Sequence, residues 1–270
     1  MIRLFLSVDM VGSTEFKARF AAQGNQGWLE IFRAFFSNFP LMLAGQVGFE
    51  FIDDECTPSI DVWKAMGDEI IFAAEPQSPD EAVSILRALL RAMALYEAKY
   101  FDRLPLRLKG TAWIAAFGEQ NIELDIAELA AGDGASHIDF IGPDVDLGFR
   151  LSKFSRPSSL VVSLDLLEQL LDAGNVGTLA FHLVGREELK GVMFGRPYPV
   201  IWASDADCGF DFLPWEVEAC PLMAAAMASG PTDSQRLRDT IDDMRHYLRK
   251  MHGVDRAPLG FGSPDARDPR

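Results

Sequence analysis

The chain has 270 residues, of which 49% are hydrophobic, and a formal net charge of −15. That length and apolar content suffice for one sizeable core, or for a domain with an extension. The negative balance excludes a protein that coats nucleic acid or anionic membrane, because both need concentrated Lys and Arg.

Residues 2–9 read as a buried strand that ends at Asp9. A chain that opens directly into such a strand is expected to lack a signal peptide. Residues 13–46 read as helices broken near Gly24 to Gly27, with Phe32, Phe35, Phe36 and Phe39 at near-helical spacing. That stripe reads as core or dimer surface. Residues 47–74 are expected to hold two or three strands, with a solvated acidic loop at Asp53, Asp54 and Glu55. Pro79 opens a helix to about 100, whose buried stripe is Val83, Leu86, Leu90 and Met93. Arg87 and Arg91 interrupt this segment, and no stretch reaches the length of a membrane span.

Residues 105–117 read as a strand, and 118–137 as a long acidic, Gly/Ala-rich insertion. A short strand near 138–141 leads to Gly142-Pro143, where proline suits the first turn of a helix to about 155. A strand at 160–163 and a hairpin over 178–203, turning at Gly191 to Pro197, follow. This order predicts an α+β sandwich with helices on one side. Residues 204–270 form an extension. A charged amphipathic helix is expected over 232–250, and a Pro/Gly-rich, disordered end after it. Cys56, Cys208 and Cys220 are odd in number with no ligand spacing, which points to a reducing cytoplasm and no structural zinc.

Two runs carry the chemistry: FLSVDMVGST at 5–14 and VWKAMGDEIIF at 62–72. Each sets an aspartate, Asp9 or Asp68, at a strand end. Magnesium takes oxygen ligands and is held by one or two carboxylates plus substrate phosphate. Free N–H groups at a helix N-terminus, here near Gly12, Ser13 and Thr14, accept phosphate oxygens. Taken singly, Asp9 is a strand-end helix cap and Gly67-Asp68 a common hairpin turn. A third run, HIDFIGPDVDLGFRLSKFSRPSSLVVS at 137–163, shifts the balance. In its helix Asp146, Arg150 and Lys153 share one polar face, opposite Leu147, Leu151 and Phe154.

Together the three runs, over about residues 1–203, resemble the class III nucleotide cyclases, the adenylate and guanylate cyclase family. The first matches from Val8 to Thr14 and the second from Lys64 to Asp68. The third matches at Asp139, Gly142 and Arg150, but has Asp146 where the family has asparagine. The resemblance implies a ferredoxin-like catalytic domain. It implies attack of a ribose 3′-OH on the α-phosphate, with release of pyrophosphate. Two Mg²⁺ or Mn²⁺ ions per site would be held by Asp9, Asp68 and the Met10 carbonyl. Gly12, Ser13 and Thr14 would hold phosphates, as would Lys190. Lys64 and Asp139 would read the base, and Arg150 would stabilise charge on the α-phosphate. An ionised Asp146 can only accept hydrogen bonds, so it accepts from a ribose hydroxyl or is held by Arg150.

In this family the metal carboxylates come from one subunit and the base readers and arginine from the other. A chain with both sets implies a symmetric homodimer with composite sites. The single-domain layout, the insertion and GPDVDLGFRLSKF are similar to the stand-alone pyrimidine cyclases of bacterial Pycsar antiphage systems. Those make cyclic UMP or cyclic CMP, which activates a separate effector protein. That implies UTP or CTP as substrate, with Phe49, Trp63 and Phe140 as candidates to fill a smaller base pocket. Lys64 and Asp139 equally suit ATP, which leaves an adenylate cyclase as the alternative. A degenerate nucleotide-binding sensor is the other, favoured only by Asp146.

Overall fold

The structure is a computed structural model that describes residues 1–24, 26–126 and 138–261. At its centre lies β1 (Ile2–Val11), flanked by β3 (Glu69–Ala74) and β4 (Arg107–Ala116). With β2 (Ile60–Met66), β7 (Leu160–Val162), β8 (Leu179–Glu187) and β9 (Tyr198–Asp205) they form a seven-stranded sheet of order β2-β3-β1-β4-β7-β9-β8. Only β4 and β7 run parallel; the other neighbours are antiparallel. A separate hairpin pairs β5 (Ile122–Asp125) with β6 (Ile138–Ile141). The result is the expected α+β sandwich.

Period-two alternation divides β1 between two cores. Leu4, Leu6, Val8 and Met10 face the helical layer of α2 (Trp28–Glu50) and α3 (Pro79–Tyr96). Phe5 faces the opposite side, with Ile71 and Trp113. Ser7 and Asp9 share that second side by the same alternation. α3 starts where its sequence signals place it: the Ser78 hydroxyl accepts from the Glu81 N–H at 3.1 Å and Pro79 occupies the first turn. All four residues of its expected stripe are buried. Five further residues, Glu97–Phe101, continue it as a π-helical turn.

Three features depart from expectation. First, α2 runs to Glu50, through residues read as the start of a strand region. Phe35, Phe39, Leu43 and Val47 recur every four residues and are at most 2% exposed, so burial of one continuous stripe carries the helix on. Second, helices are not confined to one side. α4 (Pro143–Leu151) crosses the second face, where Gly148 lies against Trp113; a Cβ there would sit 2.1 Å from the indole. Third, residues 204–261 are more ordered than their composition suggests. α6 (Pro214–Ala219), α7 (Pro221–Ser229) and α8 (Ser234–His252) pack onto the domain that also contains α1 (Ser13–Ala22) and α5 (Leu164–Leu171). Leu259 and Phe261, in the segment expected to be disordered, pack against the main core.

The 118–137 insertion contributes β5; its residues 127–137 lie outside the described residues, as do 262–270. Among the described residues, no helix is long and apolar enough to cross a membrane.

Candidate active site

The acidic end of the second face is assembled by strand register. Asp9 stands directly across from Glu69 on one side and Lys109 on the other. Asp68 sits in the turn before β3, and its backbone carbonyl accepts from the Met10 N–H at 3.2 Å. β1 then turns at Gly12, φ +86°, into α1. A Cβ at Gly12 would lie 2.6 Å from the Pro105 carbonyl oxygen, so the close approach of backbones requires glycine there. The turn buries Ser13, whose hydroxyl donates to the Asp68 carboxylate. Among the described residues no side chain caps α1, so its first N–H groups, beside the exposed Thr14, are left for a ligand or water. The Met10 side chain is core, and only its carbonyl is chemically eligible as a ligand.

Electrostatics at this end are strained towards excess negative charge. Burial pushes the Asp9 carboxyl above its usual range. The Lys109 ammonium, 3.0 Å from Asp9 Oδ2, opposes the rise, and the charge on Asp68 adds to it. Burial also raises Glu69, which accepts from the Ser7 hydroxyl. Sequence reading missed Lys109. Its signal appears only once β4 is paired with β1, because register alone sets it beside Asp9.

A second cluster lies along β2. Lys64 is across from Ile71, which is across from Ser7. That is two strand spacings, about 10 Å, from β1 on the same face. Lys64 Nζ is 2.5 Å from Asp139 Oδ1 and 4.4 Å from the Trp63 ring centroid. The two expected base readers are thus brought together within one chain. Trp63 and Phe140 pack beside them with ring centroids 5.0 Å apart, and Phe5 lies 5.1 Å from Trp63. Phe49 is not part of this group. It is exposed on α2, beside Leu41 and Leu95.

The third cluster is on α4. Of the two expectations for Asp146, its being held by Arg150 is not met: the two side chains form no ion pair among the described residues. Instead both line a cavity of about 250 Å³ with Leu147, Val192, Phe194 and Arg256. Arg150 Nε is buried and has no partner among the described residues. Lys190 is exposed in the turn just before Gly191, which lines the same cavity. The walls of this cavity include none of Asp9, Asp68, Lys64 and Asp139.

By sequence, no protein-family model and no curated protein matches this chain. By structure the match is broad. An adenylyl cyclase, CyaB from P. aeruginosa, is 16% identical with a TM-score of 0.53, over 78% of this chain and 96% of that one. The guanylate cyclase domain of RhGC from Catenaria anguillulae, solved with GTP, is 13% identical with a TM-score of 0.51, over 76% and 96%. Adenylate cyclases from Trypanosoma brucei, in a monomeric state, give 11% identity and a TM-score of 0.50, over 77% and 91%. The fold is that of a class III nucleotide cyclase catalytic domain. At these identities it is the architecture that is shared.

The donor set of the acidic end fits hard divalent cations. Asp9, Asp68 and the Met10 carbonyl offer oxygen alone, and two neighbouring carboxylates answered by one lysine leave a negative excess. No cluster of three or more His, Cys, Asp or Glu side chains arranged for a metal occurs among the described residues. Protein ligands here would therefore need completion by substrate phosphate and water, as magnesium commonly has.

Proposed function

We propose that this chain is a nucleotide cyclase that converts a nucleoside triphosphate into a 3′,5′-cyclic nucleotide and pyrophosphate. The observation that carries this reading is the convergence of Asp9 and Asp68 at one end of a cyclase-fold sheet, with Ser13 tied to Asp68. Asp9, Asp68 and the Met10 carbonyl would hold two Mg²⁺ or Mn²⁺ ions. When bound, such ions polarise a hydroxyl and neutralise triphosphate charge. Gly12, Ser13 and Thr14 would receive the phosphates at the start of α1, and Lys190 would meet their charge. The ribose 3′-oxygen forms its bond to the α-phosphorus as the bond to the bridging oxygen breaks. The hydroxyl proton leaves to solvent, and pyrophosphate departs. Arg150 would meet the charge that builds on the α-phosphate, a task suited to a preorganised guanidinium. Its lack of a carboxylate partner among the described residues supports that role. Asp146 would accept from a ribose hydroxyl.

The separation of Arg150 from the acidic end within one chain supports a homodimer whose sites combine Asp9 and Asp68 of one subunit with Lys64, Asp139 and Arg150 of the other. Residues 1–203 would be the catalytic unit and 204–270 its extension. The protein would act in the cytoplasm.

The substrate we favour is a pyrimidine triphosphate, UTP ahead of CTP, made into a second messenger for a separate effector in antiphage defence. The crowding of Lys64 and Asp139 by Trp63, Phe140 and Phe5 supports a small base. Lysine donates to a uracil carbonyl as readily as to an adenine nitrogen. The test is kcat/KM for UTP, CTP, ATP and GTP with manganese. UTP should be turned over fastest. A clear preference for ATP would leave an adenylate cyclase, and binding without turnover of any of the four would leave a sensor domain.

A further inference from the structure

The end of the chain reaches back to the helix that carries Arg150. α8 stops at Gly253, whose N–H donates to the Arg249 carbonyl at 3.1 Å, and the chain reverses. Three residues on, Arg256 forks Asp165 in the first turn of α5: its Nε is 3.1 Å from Oδ1 and its Nη2 is 2.7 Å from Oδ2. The same Nη2 lies 2.6 Å from Asp144 Oδ1, in the first turn of α4. Asp144 and Asp165 are only 5% and 7% exposed, so this guanidinium is their shared counter-charge. Asp144 is held from its other side by Asn121, whose Nδ2 donates to Oδ2 at 2.8 Å and whose Oδ1 accepts from the Asp144 N–H at 3.1 Å. Beyond Arg256 the tail is tied down by Leu259 and Phe261 on the core.

Arg256 also shares the cavity of Arg150 and Asp146, together with Leu248 and Val254 of the extension. One end of α4 is therefore clamped by a residue 112 positions away in sequence, and the arginine on its last turn looks into a space that the same tail walls off.

We propose that Arg256 is a positioning residue. By bridging the first turns of α4 and α5 it fixes the pose of Arg150 and Asp146, which makes the C-terminal extension part of the catalytic apparatus. This rests on the cyclase reading of Arg150. A bidentate fork on one carboxylate that also reaches a second is a geometry that arginine alone provides. Without it, two buried carboxylates lose their counter-charge and the start of α4 is freed. A displacement of about 1 Å remote from the chemistry can cost on the order of a hundredfold in rate.

The experiment compares wild type with Arg256→Gln, using steady-state kinetics on the preferred triphosphate and amide hydrogen exchange. The expected result is a kcat lower by on the order of a hundredfold, with KM little changed. Amides over 143–151 should exchange faster while those of β1 and β3 do not. If Arg256→Gln fails to fold, the double variant Asp165→Asn with Arg256→Gln removes one unpaired charge and should show the same two effects. A folded variant with unchanged kcat, or with unchanged exchange over 143–151, overturns the proposal. A wild type inert towards all four triphosphates overturns the cyclase reading instead, and the exchange comparison still decides whether Arg256 holds α4.

Discussion

The acidic end and the α4 end solve the same problem, the placement of charged side chains on one sheet face, in opposite ways. At the acidic end Asp9, Glu69 and Lys109 are cross-strand neighbours, and Asp68 and Ser13 follow within a turn of the strands. Position there is a consequence of register, which a one-residue slip would move to the other face. At the α4 end nothing comparable is local. Asp144 meets Asn121 across 23 residues and Arg256 across 112, and α4 is seated by the fit of Gly148 on Trp113. The comparison teaches that one half of the proposed site is as robust as the sheet, while the other depends on distant parts of the chain agreeing.

The largest expected effect tests the acidic half. Asp68→Ala, or Asp9→Ala, should abolish cyclisation with every triphosphate while the oligomeric state and the far-UV circular dichroism stay as in wild type. Retained turnover at unchanged manganese would remove these carboxylates from the chemistry. The α4 half comes next. Arg150→Ala should lower kcat by about 10²–10³-fold. Mixed with Asp68→Ala after subunit exchange, it should recover activity, because one site of the heterodimer then has both halves intact. Failure to recover despite demonstrated exchange would place both halves within one chain and end the composite-site proposal.

A third test sharpens the contrast in how the two halves are supported. Gly148→Ala sets a methyl against the Trp113 ring and should cost about 1–3 kcal/mol, read from the denaturant midpoint. It should lower kcat as well if α4 must keep its pose. Wild-type stability and kcat in this variant would show that α4 is not seated on Trp113.

The smallest effect comes from a half-buried carboxylate outside both halves. Glu97 accepts from the Leu108 N–H and pairs with Arg107 at 3.1 Å, yet burial pushes its carboxyl above 4.5. A raised acid pKa means that the folded state holds the proton more tightly than the unfolded one. Stability contributed by Glu97 should therefore fall as pH rises from 4.5 through its folded value. Urea titrations across that window should show the decline in wild type and a flatter profile in Glu97→Gln. An identical slope in both would mean that Arg107 fully offsets the burial.

Much of the architecture was legible in the chain itself. Strand β1, which runs two residues past the expected end at Asp9 to Val11, the Gly67-Asp68 turn, the Ser78-Pro79 start of α3 and Gly142-Pro143 before α4 all rest on local rules: apolar period, caps and turn residues. The three motifs and their order pointed to the cyclase fold, which the structure has. What the sequence could not carry were interactions whose partners lie far apart along the chain. Lys109 beside Asp9 follows from pairing two strands about a hundred residues apart, and no local pattern in RLKG announces it. The continuation of α2 to Glu50 came from burial of a stripe against α3, which overrides weak local preference. The Pro/Gly-rich tail has the composition of a disordered segment, but through Phe261 it is placed by the two buried carboxylates that Arg256 meets and by Leu259 and Phe261 on the core. The sequence by itself determined the order of the elements and the motifs that nominate Asp9, Asp68 and Arg150 for the proposed chemistry. The tertiary structure decided which of them share a face and what holds them there, because register and buried charge pairing depend on contacts that exist only once the chain is folded.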